Sequence, residues 1–275
     1  MPDASSPGVY WTVPDHANTR LRGFTMYSEL TEKNAERRKP KVIASLFAVV
    51  MVSGCVVTEN VQTIDRLESV AENPRVILMP PDIKYYLLTA GGVPEPNKEW
   101  TDAAQANFTA AIIDFSESMG SDLKIIDPDN IGETEIEYEA LHSAVGITIL
   151  NHHFGLVKLP SKANGEVFDW SLGPGIQQLA EQHDADYGLF VFYRDYQASG
   201  GRVAFAILAA AAVGAAVPLG AEQGFASLVD LRSGDIVWFN VVGAGSGEMR
   251  DEKGAVAAVN TLFRDIPTNN PPVEE

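Results

Sequence analysis

One short stretch constrains this 275-residue chain more than any other. Arg37-Arg38-Lys39-Pro40-Lys41 is a compact basic run, and residues 42–52, VIASLFAVVMV, follow it without a charge. Ser53, Gly54 and then Cys55, the chain's one cysteine, come next. A basic segment, a short apolar segment and small residues before a cut are the parts of a secretory signal. The apolar segment is too short for a spanning helix, which needs roughly 20 residues. It therefore reads as a leader removed on export. Such signals run to about 15–30 residues, and a start at Met26 would give one of 29 residues ending at Gly54, with 1–25 as an upstream extension. The competing reading is a buried apolar strand with an incidental cysteine.

Val52-Ser53-Gly54-Cys55 resembles the bacterial lipobox, in which an aliphatic residue and two small ones precede a cysteine. The resemblance implies that the Cys55 thiol receives a diacylglycerol, that a peptidase cuts between Gly54 and Cys55, and that the new amine is acylated. Each buried methylene contributes about 0.8 kcal/mol, so two or three chains hold a protein where one would not. Val56 follows the cysteine. By resemblance to enterobacterial sorting, that implies the periplasmic face of the outer membrane.

Charge narrows the partners. Of 20 basic and 37 acidic residues, seven and five lie in 1–54, leaving 13 and 32 in 55–275, a net of −19. An acidic body repels nucleic-acid phosphates and anionic headgroups alike, so nucleic-acid binding is not expected. A single cysteine also excludes an intrachain disulfide or a multi-cysteine metal site.

Beyond Cys55, residues 56–74 are polar and mixed, so 55–74 reads as the lipidated cysteine and a tether. RVILM at 75–79, stopped by Pro80-Pro81, is the pattern of a buried strand, with a second strand piece at 83–88. Trp100, Ala104, Phe108, Ala111, Ile112, Phe115 and Met119 recur at helical spacing, with Thr101 placed to cap the start and Gly120 the end. Residues 123–126 read as a short strand. Tyr138, Leu141, Val145 and Ile149 mark a second helix ending near Gly155, and Ile176, Leu179 and Ala180 a short third. YGLFVFY at 187–193 is a strongly apolar strand. Runs 224–231 and 236–242 flank Arg232-Ser233-Gly234-Asp235 as a hairpin, and a last helix spans 251–263. The order predicts one α/β domain over 75–266, a single mixed sheet packed with helices, followed by a disordered tail at 267–275.

The strand RVILMP, the strand after Ala185-Asp186-Tyr187 and the run LVDLRSGDIVW at 228–238 resemble a group of envelope lipoproteins. They include the curli-secretion-channel family, the TolB amino-terminal domain and related periplasmic lipoproteins, and the likeness spans roughly 75–265. It implies envelope assembly or transport by a non-catalytic module. The chain lacks the two long amphipathic hairpins of a curli-type pore.

Residues 203–221, VAFAILAAAAVGAAVPLGA, carry no charge. Their length nominates a membrane span. Gly214, Pro218 and a position between two strands of one sheet argue against it. Three readings stand: an element buried on the sheet, one dipping into the membrane, and an oligomer contact. The last two would use Phe205, Ile207, Leu208, Val213, Val217 and Leu219. Arg194 and Arg202 would then either meet lipid phosphates or form ion pairs at the core edge.

Catalytic patterns are not found. His142, His152 and His153 lack metal-ligand spacing. Gly243-Ala244-Gly245-Ser246-Gly247 lacks the Lys-Ser/Thr of a phosphate loop and reads as flexible. No GxSxG elbow occurs. Asp184/Asp186 and Glu133/Glu135/Glu137 are expected by chance in so acidic a chain, and Trp100, Trp170 and Trp238 read as core anchors. The expectation is a lipid-anchored envelope protein, not an enzyme, needing no cofactor or metal. Its partners would be the membrane, through the anchor, and envelope proteins or further copies of itself. An envelope hydrolase whose site is assembled from distant residues, or a purely structural lipoprotein, are the alternatives.

Overall fold

YGLFVFY has apolar side chains at odd and even positions, so a strand made from it must be covered on both faces. A computed structural model, which describes residues 58–67, 73–116, 122–165 and 167–269, places that run at the centre of a mixed sheet. Gly54, Cys55, the leader and Gly120 lie outside the described residues. The strands are β1 (Thr58–Gln62), β2 (Arg75–Leu78), β3 (Asp82–Leu88), β4 (Pro94–Pro96), β5 (Asp122–Ile125), β6 (Tyr187–Ala198), β7 (Gly220–Asp230) and β8 (Ile236–Val242). The helices are α1 (Lys98–Ser116), α2 (Glu133–Ile149), α3 (Gln177–His183), α4 (Gly200–Val213) and α5 (Glu252–Leu262).

The sheet runs β1-β8-β7-β6-β2-β5, with β3 also on β6 and β4 on β3. One edge of the long β6 is shared by two parallel strands. β2 takes its start (Leu78 opposite Leu189) and β3 its end (Asp82 opposite Phe192). Pro80-Pro81 separates them, because proline has no N–H for a ladder. The β7–β8 turn uses Gly234 at φ 86°, where a Cβ would lie 2.2 Å from the Gly173 carbonyl oxygen.

Alternation along β6 supplies both cores. Leu189, Val191 and Tyr193 join Phe108 and Ile112 of α1 and Val259 and Leu262 of α5 on one face. Phe190 and Phe192 join Ile149 of α2 and Leu179 of α3 on the other. Full burial of each large apolar side chain contributes about 1.5–3 kcal/mol. On the second face Phe192, Phe225 and Phe239 stack in a row, with centroids 4.7 and 5.2 Å apart. Gly146 admits that row, since a Cβ there would sit 2.1 Å from the Phe225 ring. Trp238 is fully buried and Trp170 nearly so, as expected of anchors.

Three boundaries differ from the sequence reading. Residues 58–62, read as tether, are the edge strand β1, antiparallel to β8 from Thr58–Val242 to Gln62–Trp238. A half-exposed edge strand keeps polar residues, which made TENVQ look like linker. The start of the 267–275 tail is held too: Pro267 is buried and the Thr268 carbonyl accepts from Leu67 N at 3.3 Å. Helix α1 begins earlier, because Asn97 Oδ1 accepts from Trp100 N at 3.0 Å. Thr101 Oγ1 instead accepts from Tyr85 N at 3.0 Å, pinning the helix to β3.

Candidate functional site

The strand ends Arg194 to Ala198 and Gly220 to Gln223 extend past the main core, and α4 bridges their tips. Ser199 caps α4, its Oγ accepting from Arg202 N at 3.2 Å, and Gly214 at φ 67° ends it before Pro218. The uncharged segment 203–221 is therefore a helix, a short connection and the first residues of β7.

The same end carries an open cleft of about 560 Å³, lined by Asp195, Gln197, Leu219, Glu222, Gly245 and Glu248 among others. Its floor is a polar network. The Glu222 carboxylate accepts from the Tyr193 hydroxyl, the Ser246 hydroxyl, Ser246 N at 3.2 Å and Gly245 N at 2.8 Å. The glycine-rich loop 243–247 thus wraps an internal carboxylate with its backbone amides. Gln197 Nε2 bridges Asp195 at 3.2 Å and Glu248 at 3.1 Å. Arg250 donates to Glu248 at 2.7 Å and to Gln197 Oε1 at 2.9 Å, and lies 4.4 Å over the Trp100 ring.

Electrostatics follow from burial and like charge. Burial, reinforced by Glu222 and Glu248 against the Gln197 hydrogen bond, pushes the Asp195 carboxyl up to about 6. Burial would also raise Glu248, but the Arg250 bonds outweigh it and hold that carboxyl below its usual range. Tyr193 is pushed upward by burial and by Glu222, so it stays a hydroxyl donor. Near pH 6 the cleft is an electronegative surface that can accept hydrogen bonds and, through Asp195, give up a proton. No sequence motif announced it. Tyr193, Asp195 and Gln197 do show the period of two that puts them on one face of β6.

The apolar candidates are all at this end. Phe205, Ile207, Leu208 and Val213 are 51, 65, 67 and 77% exposed on α4. Val217 is half-buried, and Leu219 is exposed at the cleft rim. Of the three readings of 203–221, an element buried on the sheet does not hold: no residue of α4 is buried, and only Arg202, Ala206 and Ala209 are half-buried against the body. Arg194 pairs with Asp82 at 2.5 Å and stacks 4.0 Å over Phe192, an ion pair at the core edge. Arg202 Nε donates to the Pro218 carbonyl at 2.8 Å.

The histidines go separate ways. His142 is sealed between Phe190 and Phe225, with Nε2 2.7 Å from Ser227 Oγ. A serine beside an imidazole is nucleophile-and-base geometry, but both residues are at most 1% exposed. Burial drives the imidazole down to about 3, so it is neutral. His152 Nδ1 lies 2.7 Å from the Val157 carbonyl, and His153 packs edge-on to Phe154 and Phe168. Among the described residues, no group of three His, Cys, Asp or Glu side chains is arranged to hold a metal ion. Asp184 and Asp186 clamp Arg75, and Glu135 caps α2 through Gly132 N at 3.0 Å while meeting His183 at 2.7 Å.

No family model and no curated protein matches the chain. Among solved structures it is similar to the PelC dodecamer from Paraburkholderia phytofirmans. A point variant in space group C2 is 10% identical with TM-score 0.35, covering 78% of this chain and 99% of that one. A second structure, in space group P6, is 10% identical with TM-score 0.32, covering 76% and 97%.

Proposed function

We propose that this chain is a lipid-anchored envelope protein, held at the periplasmic face of the outer membrane through Cys55. It works there by binding, in envelope assembly or transport, and not by catalysis. The observation that carries the reading is where the chain enters the fold. The first described strand, β1, starts at Thr58, three positions after Cys55, and its antiparallel pairing on β8 directs its start toward the α4 end. A lipid on Cys55 would leave that end nearest the bilayer, with no long linker between anchor and body.

Two buried arrangements support binding over catalysis. Ser227 with His142 and Ser246 with Glu222 have the partners of activated hydroxyls, yet both serines are at most 1% exposed, beyond a substrate's reach. What the α4 end offers to the outside is an apolar helix and an acidic cleft.

Intact mass of the protein purified from membranes tests the anchor. The expected species begins at Cys55 and carries diacylglyceryl and amide-linked acyl groups. A cellular protein with its leader intact and an unmodified thiol overturns the proposal. Labelling by a serine-reactive fluorophosphonate is expected to be absent, and its appearance at Ser227 or Ser246 would favour a hydrolase.

A further inference from the structure

An ordinary surface helix turns its apolar stripe inward and its polar face to water. Helix α4 does the reverse. Its half-buried stripe toward the body is Arg202, Ala206 and Ala209, while Val203, Phe205, Ile207 and Leu208 point away. At 3.6 residues per turn, the exposed arc from Val203 through Ile207 and Leu208 to Phe205 covers roughly 200°. No charge interrupts it between Arg202 and Glu222. We infer that α4 is a second membrane contact, lying in the headgroup–acyl boundary of the bilayer that holds the Cys55 lipid. This rests on the anchor reading and adds to it a contact made by the protein itself.

Three observations select a bilayer over a second copy of the chain. The first is the width of the arc, since a groove on a partner covers one side of a helix whereas lipid surrounds all that is presented. The second is the separation in sequence between Cys55 and the first described strand, and where that strand starts. Thr58 lies level with Val242, Gly224 and Tyr193, four residues short of the Gln197–Gly220 pair that α4 closes. Three extended residues reach about 10 Å, enough to bring Cys55 toward the α4 level with no change in the body. The third is the company α4 keeps. Tyr86 and Tyr196 stack at 4.9 Å beside its foot, and Val93, 61% exposed, caps the adjoining β3–β4 turn. Tyrosines at the boundary and apolar side chains beyond it are the order found at a membrane surface.

A crossing is excluded by size. Fourteen residues make a helix of about 21 Å, short of the roughly 30 Å hydrocarbon core. Among the described residues no helix is long and apolar enough to span. A helix lying in the interface needs no such length.

The test uses the native lipoprotein reconstituted in vesicles of phosphatidylethanolamine and phosphatidylglycerol. With Cys55 acylated, Leu208→Cys provides the one free thiol for an environment-sensitive fluorophore. Val256→Cys on α5, 46% exposed in the native residue, is the matched control. The Leu208 probe is expected to shift to the blue and lose most of its emission to nitroxide-labelled lipid, while the Val256 probe does neither. Lipidated protein whose Leu208 probe stays in water overturns the inference. So does a probe that shifts blue but is untouched by nitroxide lipid, because a protein surface then covers the helix. The mass of the same preparation reports Cys55 separately. If the thiol is unmodified, the anchor fails, and the Leu208 probe in a Cys55→Ala background decides α4 alone: quenching by nitroxide lipid upholds the contact, and emission as in water overturns it.

Discussion

Helices α4 and α5 are of similar length, and each flanks the sheet, yet they are built inside out relative to each other. In α5 the residues Ala255, Ala258, Val259 and Leu262 are buried, while Glu252, Lys253 and Asn260 face water. In α4 the contact with the body is made by alanines and one arginine, and the large apolar residues face outward. The contrast separates two uses of the same secondary structure. One helix spends its apolar surface on the fold, and the other holds it for something outside.

The largest effect is expected where α5 meets the core. Leu262→Ala should lower unfolding stability by about 2–5 kcal/mol, read from the urea midpoint. A loss under about 1 kcal/mol would mean that α5 is not part of the cooperative core. Next comes the tie between α5 and β8. Asn240 Nδ2 donates to the Thr261 and Leu262 carbonyls, both at 2.8 Å. Asn240→Ala leaves those buried groups unpaired, at a cost of about 1–3 kcal/mol, and amide exchange in the last turn of α5 should quicken.

Acid separates body from helix. His142 has a folded value of about 3 against 6.5 unfolded. Below pH 6.5 the unfolded chain takes up a proton that the folded one refuses. The stability held above that pH is thus lost as pH falls toward 3, at a slope of up to about 1.4 kcal/mol per pH unit. Asp195, pushed up to about 6, acts oppositely between that value and its ordinary 3.8, so the steepest acid loss belongs to Asp195→Asn. A curve for that variant that stays flat from pH 6.5 to 4 contradicts the sealed imidazole. Residues 203–221 contain no titratable group, so membrane contact by α4 should persist over the same range.

The smallest effect is the one that defines the contrast. Phe205→Ser or Leu208→Ser should change stability in water by no more than about 0.5 kcal/mol, as for exposed sites generally. A cost near that of Leu262→Ala would show α4 to be a core helix after all.

Much of the architecture was legible. β6, the β7–β8 hairpin, α1 and α5 follow from long periodic runs whose pattern is set by burial. β1 was not, because an edge strand is stabilised by backbone pairing that leaves TENVQ looking like linker. Composition identified 203–221 as unusual but could not tell which way its apolar groups face, since a uniformly apolar helix has no stripe to orient. The acidic cleft was hidden for another reason. Asp195, Glu222 and Glu248 come from three segments, and only the pairing of Asp195 with Glu222 across β6 and β7 brings the first two together.

The antiparallel seating of β1 has a mechanical side. Tension reaching Thr58 from the preceding chain pulls along the strand axis, so the pairs from Thr58–Val242 to Gln62–Trp238 are loaded in shear, all at once, instead of being peeled one by one. Under the proposed anchor at Cys55, the body could be tugged hard before this seam begins to open.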